Sequence, residues 1–140
     1  LLLSLPSEGV SPPKVVEKSD NLSFIILHTN DIHSHEDSFL ENGKKIGGIP
    51  RIAHLIKTIK ASNPNVLVVD AGDVFQGTAY FETYKGETDI ECLSKAGYDI
   101  FTPGNHDFDE GPDNLARQLQ KAKFDIINCN LDLSGAQALK

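Results

Sequence analysis

The stretch Val66-Leu67-Val68-Val69-Asp70-Ala71-Gly72-Asp73 places four apolar residues directly before a polar turn. A short, continuous apolar run rich in valine indicates a strand that is buried on both faces. Such strands are typical of parallel sheets, in which ligands bind beyond the carboxyl ends of the strands. The stretch therefore predicts an α/β architecture with Asp73 close to a ligand-binding edge.

The rest of the chain repeats this pattern of strand and helix. A second apolar run at 24–27 predicts another strand buried on both faces. Weaker runs at 99–102 and 125–127 predict a third and a fourth strand. Between them, apolar residues recur at helical spacing from Ile49 to Ile59, over 88–96 with Gly97 as the terminator, and over 112–123. This alternation predicts stacked βαβ units and a largely parallel sheet.

Composition and charge exclude some classes of function. The chain has 140 residues, is 39% hydrophobic and 24% charged, and carries a formal net charge of −7. An acidic chain lacks the basic face that nucleic-acid polymers require, so we expect no binding to DNA or RNA. No apolar run is long enough to predict a transmembrane helix. An acidic protein also repels phosphate substrates, unless bound cations offset its charge.

Three polar clusters each follow a predicted strand. They are Asp31-Ile32-His33, Gly72-Asp73 and Gly104-Asn105-His106-Asp107-Phe108-Asp109. Because the carboxyl ends of parallel strands share one edge of the sheet, we expect the clusters to converge in space. Asp-x-His or Gly-Asp alone is common without metal, but all three clusters in this order favour a metal site over coincidence.

The side chains in these clusters predict which ions would bind. Mixed oxygen and nitrogen ligands suit Zn, Mn or Fe better than Ca. In an extended loop, Asp31 and His33 would point to the same side and hold one ion. Asp73 could bridge two ions about 3.5–4 Å apart, and Asn105 could give an amide oxygen to the second. We therefore expect a site for two divalent cations.

These clusters closely resemble the first three motifs of the calcineurin-like metallophosphoesterases, and more narrowly those of the 5′-nucleotidase branch. The matching segments are His28-Thr29-Asn30-Asp31-Ile32-His33-Ser34-His35, Asp70-Ala71-Gly72-Asp73-Val74-Phe75-Gln76-Gly77 and Gly104-Asn105-His106-Asp107-Phe108-Asp109. The resemblance extends over about residues 22 to 133. Gln76-Gly77 stands where protein phosphatases have Asp-Arg, which points away from phosphoprotein substrates.

The resemblance implies a fold and a reaction. The fold is a four-layer α/β/β/α sandwich, of which this chain would supply the first βαβ units. The reaction is the release of phosphate from nucleotides by a dinuclear-metal hydrolase, with a metal-bound water as the nucleophile. Asp31 and His33 would bind the first ion, Asp73 would bridge, and Asn105 would bind the second.

The resemblance also implies roles for residues that do not bind metal. His106 would stabilise the charge on the phosphoryl group or protonate the leaving oxygen, and Asp109 would orient His106. Asp107 is expected to serve the turn rather than the chemistry. Among the other histidines, we expect His28 to be buried in its strand. We expect His35 to be a structural neighbour of the site, and His54 to be exposed on a helix.

The family places further metal-binding histidines and a nucleoside-binding domain later in the chain. We therefore expect residues 22–140 to be the N-terminal, incomplete portion of the catalytic domain, with one sheet face uncovered.

Residues 1–21 begin with Leu1-Leu2-Leu3-Ser4-Leu5 and predict a signal-peptide remnant or a disordered linker. Together with the resemblance, this start predicts a secreted or periplasmic protein, or one at the cell surface. The two cysteines, Cys92 and Cys129, are expected to be buried thiols.

Several other functions are compatible with the same motifs. A 2′,3′-cyclic-nucleotide phosphodiesterase, a UDP-sugar hydrolase and a thiosulfate-ester hydrolase are alternatives on this fold. A non-catalytic binding relic is an alternative of another class. The His106–Asp109 pair argues against a relic, because a protein without activity has no reason to keep it.

Overall fold

The computed structural model describes residues 22–139. Its strands and helices, in chain order, are β1 (Ile25–Thr29), β2 (Phe39–Glu41), β3 (Lys44–Ile46), α1 (Ile49–Ser62), β4 (Val66–Asp70), α2 (Ala79–Tyr84), α3 (Glu87–Ala96), β5 (Ile100–Phe101), α4 (Pro112–Leu119) and β6 (Asp125–Ile126). Single 3-10 turns cover His106–Phe108 and Gln137–Leu139. Over these residues no helix has the length and apolar character needed to span a bilayer.

Four strands form one parallel sheet in the order β1-β4-β5-β6. Each strand lies beside the sheet strand that precedes it in the chain, and every pair is parallel. Four helices lie in the crossovers: α1 packs against α3 and β4, and α3 packs against α2 and α4. The predicted α/β class with a largely parallel sheet is therefore confirmed.

The hydrophobic core lies between the sheet and these helices. Val68 and Phe101 from the sheet meet apolar side chains of the helices, among them Ile56, Ile90 and Leu115, and all five are at most 3% exposed. Burying each such side chain contributes roughly 1.5–3 kcal/mol. This core fixes the sheet, and thereby the positions of the loops that leave its carboxyl edge.

The opposite face of the sheet is open. Side chains alternate between faces along a strand, so Ile26 and Leu67, which pair in register, lie together on the face away from the core. Ile26 is 64% exposed, and Phe24 and Ile127 are also exposed. The predictions that the strands at 24–27 and 66–69 are buried on both faces were wrong, because the described helices cover one side of the sheet. On the other side Ile26 of β1 is exposed, and Leu67 and Val69 of β4 are half-buried. The expected uncovered face is present.

Several element boundaries differ from the predictions. Helix α1 and the Gly97 terminator of α3 were predicted correctly. Helix α2 and the β2–β3 hairpin were missed, and α4 ends at Leu119 rather than residue 123. The hairpin and α2 are too short to show a periodic pattern, so their apolar residues gave no clear signal.

Three expectations about individual side chains were wrong. His28 is exposed because it lies on the open face of the edge strand. Cys129 is exposed because it follows the short strand β6 at the border of the described sheet, and Cys92 is only half-buried. His54 is exposed on α1, as predicted. The expected signal-peptide remnant or linker at 1–21 lies outside the described residues.

Candidate metal centre

Three loops leave the carboxyl ends of β1, β4 and β5 and meet at one edge of the sheet. They carry the three polar clusters. One ligand atom each from Asp31, His33 and Asp73 lies within 4.8 Å of the others, which is close enough for all three to hold one ion. The His33 Nε2 atom lies 3.7 Å from the Asp31 Oδ1 atom. The convergence predicted for these three residues is therefore present.

The His33 ring is oriented for metal binding. Its Nδ1 atom lies 3.2 Å from the carbonyl oxygen of Phe75, so the ring can donate its Nδ1–H there and present Nε2 to the site. Metal-binding histidines commonly donate their other N–H group to a carbonyl or a carboxylate in this way. With carboxylates from Asp31 and Asp73, the residues present fit a divalent cation that accepts oxygen and nitrogen ligands.

The loop that carries Asp31 and His33 is not extended, contrary to the prediction. Asp31, His33 and Ser34 have φ values of 53°, 48° and 53°, and Asp73 has a φ of 56°. Non-glycine residues seldom adopt this left-handed conformation, and it commonly marks functional sites where surrounding contacts impose it. Asp31 and His33 thus converge through a folded turn, not through the alternation of an extended strand.

Backbone hydrogen bonds hold this turn against the loop after β4. The N–H groups of Asp31, His33 and Ser34 donate to the carbonyl oxygens of three consecutive residues, with N–O distances of 2.9, 3.1 and 2.8 Å. The acceptors are Gly72, Asp73 and Val74. Because these bonds use no side-chain atoms, they fix the relative position of the first two loops independently of the ligand side chains.

Gly72 and Gly104 let the second and third loops come into contact. A Cβ atom added to Gly72, whose φ is +95°, would lie 2.2 Å from the Gly104 nitrogen. One added to Gly104 would lie 2.3 Å from the Asp73 Oδ1 atom. Both contacts are far shorter than a carbon can make, so the loops require glycine at both positions.

His106 and Asp109 form the expected pair beside the three ligand residues. The His106 Nδ1 atom lies 2.9 Å from the Asp109 Oδ2 atom, which leaves the His106 Nε2 atom free. The hydrogen bond that His106 donates to Asp109 raises the pKa of His106 above its ordinary value. The His106 and His33 rings meet edge to face with their centroids 5.2 Å apart, so both imidazoles lie at the same site.

Asn105 lies in the same loop with an exposed side chain. The peptide N–H of the next residue, His106, donates to the Asp73 Oδ1 atom over 2.8 Å. The bond ties the backbone at Asn105 to the carboxylate predicted to bridge two ions. His35 is exposed, and its Nδ1 atom bonds to the carbonyl oxygen of Ile32.

Asp107 is fully buried and bonds to the backbone of the loop after β4 and of its own loop after β5. Its carboxylate accepts four peptide N–H groups, at distances of 2.8 to 3.0 Å. The donors are Asp73, Val74, Phe75 and Gly104. Burial raises the pKa of Asp107, and these four donors oppose the rise. The residue serves the backbone rather than the site surface, as expected from the sequence.

The sequence predictions missed a second buried carboxylate beneath the site. Asp70, at the end of β4, accepts hydrogen bonds from the Thr29 hydroxyl over 2.6 Å and from the Gly72 N–H over 2.9 Å. The Tyr98 hydroxyl is 2.7 Å from that of Thr29 and extends the chain. Burial raises the pKa of Asp70 to about 6. An aspartate that ends a buried strand must find such partners, and this was the available signal.

A buried acidic pair was also missed. The carboxyl groups of Glu36 and Asp89 interact with each other, and both are buried beside Ser34 and Cys92. Burial raises the pKa of Glu36 to about 7 and also raises the pKa of Asp89. Because Asp89 occupies an ordinary position in α3, nothing in the sequence pattern distinguishes it from an exposed residue.

Comparisons with known proteins identify the family of this chain. A family model described as calcineurin-like phosphoesterase matches residues 24–136. The chain is 39% identical over 121 residues to human 5′-nucleotidase, and the aligned part covers 81% of this chain and 21% of that protein. A probable 5′-nucleotidase from Treponema pallidum is 33% identical over 134 residues, covering 90% of this chain and 23% of that protein. The chain thus spans about a fifth of the length of these relatives.

Solved structures share the fold. The 5′-nucleotidase precursor of Thermus thermophilus superposes with a TM-score of 0.76 at 39% identity, covering 84% of this chain and 24% of that one. The NAD nucleotidase of Haemophilus influenzae gives a TM-score of 0.74 at 29% identity, covering 81% and 22%. The loop motifs, the parallel sheet and the family match lead to one conclusion: the chain belongs to the calcineurin-like phosphoesterase family.

Proposed function

We propose that this chain provides the first half of the active site of a dinuclear-metal hydrolase that releases phosphate from nucleotides. The observation that carries the proposal is the convergence of Asp31, His33 and Asp73 beside the His106–Asp109 pair. The similarity to 5′-nucleotidases supports the substrate class. On this proposal, residues 22–140 are the N-terminal part of a longer catalytic domain.

Each proposed ligand has a role that its position supports. Asp31 and His33 would hold the first ion, and Asp73 would bridge to the second. Asn105, whose backbone is tied to Asp73 through the His106 N–H, would contribute to the second. Zn or Mn suits this mixture of carboxylate, imidazole and amide ligands. When bound, such ions supply Lewis acidity and lower the pKa of water, so that a nucleophile is present at neutral pH. They would also offset the net charge of −7 toward a phosphate group.

His106 is the proposed proton donor. Its Nδ1 atom is held by Asp109, so its Nε2 atom is the one that can face a substrate oxygen. The same hydrogen bond raises the pKa of His106, which favours the protonated ring. A protonated ring can stabilise negative charge on the phosphoryl group or protonate the leaving oxygen. Asp109 positions the ring and stabilises its charge.

We also propose that the protein acts outside the cytoplasm, in the periplasm, at the cell surface or after secretion. The apolar start of the sequence supports this location. The named relatives include venom 5′-nucleotidases, such as that of Naja atra, which is 41% identical over 117 residues. Fractionation of the producing cells, followed by immunodetection of the protein, would test the proposal.

The test of function is phosphate release from AMP by the complete protein that carries these residues, supplied with Mn²⁺ or Zn²⁺. The His106→Ala variant should lose about 10²–10⁴-fold in rate, the usual contribution of a general acid. The matched control is His54→Ala, which removes an exposed histidine from α1 and should leave the rate unchanged.

The same assay distinguishes the alternatives. Hydrolysis of 2′,3′-cyclic nucleotides or UDP-sugars without hydrolysis of AMP would change the proposed substrate and leave the proposed site unchanged. Thiosulfate esters are tested as a further class of substrate. Tight metal binding without hydrolysis of any of these compounds would overturn the enzymatic proposal and support a binding relic.

A further inference from the structure

We infer that Asp107 is a positioning residue that controls the second metal ion of the site selectively, while the first ion depends little on it. The inference rests on the proposed dinuclear function. It concerns a side chain that is 0% exposed and therefore cannot itself contact substrate. What it contacts instead is the backbone that carries the two groups proposed for the second ion.

The two oxygens of Asp107 bind different parts of that backbone. Oδ2 accepts the N–H of Asp73 over 2.9 Å and the N–H of Gly104 over 2.8 Å. This one atom therefore joins the loop after β4 to the loop after β5. Oδ1 accepts the N–H groups of Val74 and Phe75, both over 3.0 Å, and holds the remainder of the second loop.

Asn105 lies between two of these fixed points. The residue before it, Gly104, donates its N–H to Asp107, and the residue after it, His106, donates its N–H to Asp73. The backbone at Asn105 is thus held by two carboxylates, and one of them is the proposed bridging ligand. If Asp107 loses a hydrogen-bond acceptor, Gly104 and Asp73 lose their common partner. The backbone at Asn105 then keeps one direct tie to Asp73, the bond from the His106 N–H.

The first ion has a separate support. The turn that carries Asp31 and His33 is bonded to the loop after β4 through three backbone hydrogen bonds that do not involve Asp107. The His33 ring adds a fourth bond through its Nδ1–H to the carbonyl of Phe75. When Asp107 changes, four bonds still hold the turn of Asp31 and His33 against the loop that carries Asp73. One bond, from the His106 N–H, still ties the backbone at Asn105 to Asp73.

Asp107→Asn tests the inference because it keeps the size of the side chain and replaces one accepting oxygen with an N–H₂ group. That group cannot accept the peptide N–H groups that face it, so at least one loop loses its partner. We expect the affinity for the second ion to fall about 10–100-fold, the usual effect of changing a residue that supports a metal ligand. The affinity for the first ion should stay close to that of the unchanged protein.

The measurement is a titration of the complete, metal-free protein with Mn²⁺, which calorimetry and electron paramagnetic resonance both monitor. The resonance spectrum separates an isolated Mn²⁺ ion from a coupled pair, so the two sites are observed individually without any activity assay. Asp113→Asn is the matched control, because it makes the same chemical change at an exposed aspartate of α4. It should bind both ions as the unchanged protein does.

The outcomes separate this inference from the proposed function. If the unchanged protein binds fewer than two ions, the proposed function fails and the inference fails with it. If it binds two ions and Asp107→Asn weakens both equally or neither, the inference alone is overturned.

Circular dichroism of the metal-free variants reports folding. If Asp107→Asn does not fold, Asp107→Glu, which displaces the carboxylate by one methylene, must show the selective loss. Failure of both variants to fold would give Asp107 a general structural role and overturn the inference.

Discussion

Aspartates near the site differ in function because their surroundings differ. The Asp31 and Asp73 carboxylates face the predicted metal position, Asp107 is surrounded by peptide N–H groups, and Asp109 bonds to an imidazole. Sequence motifs predicted which aspartates would gather. The hydrogen-bond partners that separate their roles come from residues far apart in the chain, and no local pattern encodes them.

Removing the charge of Asp109 should lower the pKa of His106. Asp109→Asn replaces the carboxylate that raises this pKa with a neutral amide, so the imidazolium loses its main stabilising partner. The pH titration of the His106 ring protons by NMR, in the metal-free protein, measures the change. Hydrolysis of AMP should also fall, by less than in His106→Ala. Asp113→Asn removes a charge elsewhere and should leave the titration of His106 in place. An unchanged midpoint in Asp109→Asn would contradict the role proposed for this pair.

Glu36 should make the protein less stable as the pH rises. Its pKa is raised by burial from 4.5 to about 7 in the native state, so the native protein holds a proton that the unfolded chain releases near pH 4.5. The free energy of unfolding therefore falls between about pH 4.5 and pH 7 and then levels off. The full effect is about 3 kcal/mol.

The variant Glu36→Gln removes this proton and should gain stability relative to the unchanged protein across the same pH range. Urea unfolding at pH 5 and pH 8 gives the difference between the two proteins. Glu41→Gln, at an exposed glutamate of β2, serves as the control. Parallel pH dependence in Glu36→Gln and the unchanged protein would show that the proton is not held by Glu36.

At the scale of elements, the junction between α2 and α3 depends on one residue. Gly86 has a φ of +96° and precedes the first turn of α3. A Cβ atom there would lie 2.3 Å from the ring of Phe75, which is 0% exposed. Because Phe75 also packs against Phe81, with ring centroids 5.5 Å apart, the ring has little room to move.

Gly86→Ala should therefore destabilise the fold by two effects. The left-handed backbone costs about 1–2 kcal/mol for an alanine, and crowding of a packed core costs about 1–3 kcal/mol. Gly43→Ala separates the two effects, because Gly43 has a φ of +73° with no atom within 4 Å of the added carbon. Chemical unfolding of both variants gives the comparison. Equal losses in the two variants would mean that Phe75 adjusts without cost.

The elements themselves were predictable where the pattern was long. Helix α1 and the strand β4 follow from apolar spacing alone. The short hairpin and α2 were not predicted. The burial predicted for β1 was wrong, because the sequence of a strand does not state whether both faces of its sheet are covered. The apolar residues of β1 would suit a covered face equally well.

At the scale of the whole molecule, the open sheet face is the dominant feature. The core lies on one side of the sheet, while Phe24, Ile26 and Ile127 are exposed on the other. Large apolar side chains exposed on one face of a sheet commonly mark an interface or lead to association. The fold class was predictable because βαβ alternation leaves few arrangements, whereas the partner of this face was not predictable from these residues.

We expect the 140-residue chain, prepared alone, to self-associate through this face. Ile26→Lys places a charge at a position that is 64% exposed and should shift the chain toward the monomer. Leu40→Lys is the control, because Leu40 is 71% exposed but lies on the β2–β3 hairpin. Sedimentation over a range of concentrations distinguishes the species. A monomeric unchanged chain at all concentrations would contradict the expectation.

The order of the strands also affects how the chain can fold during synthesis. Each sheet strand pairs with the one made before it, so a nascent chain can extend the sheet as it leaves the ribosome, without waiting for a distant segment. Asp31, His33 and Asp73 emerge before Asn105 and His106. We therefore expect translation to complete the first cation-binding trio while the loop for the second is still unmade, so that an early ion could stabilise the pairing of β1 and β4.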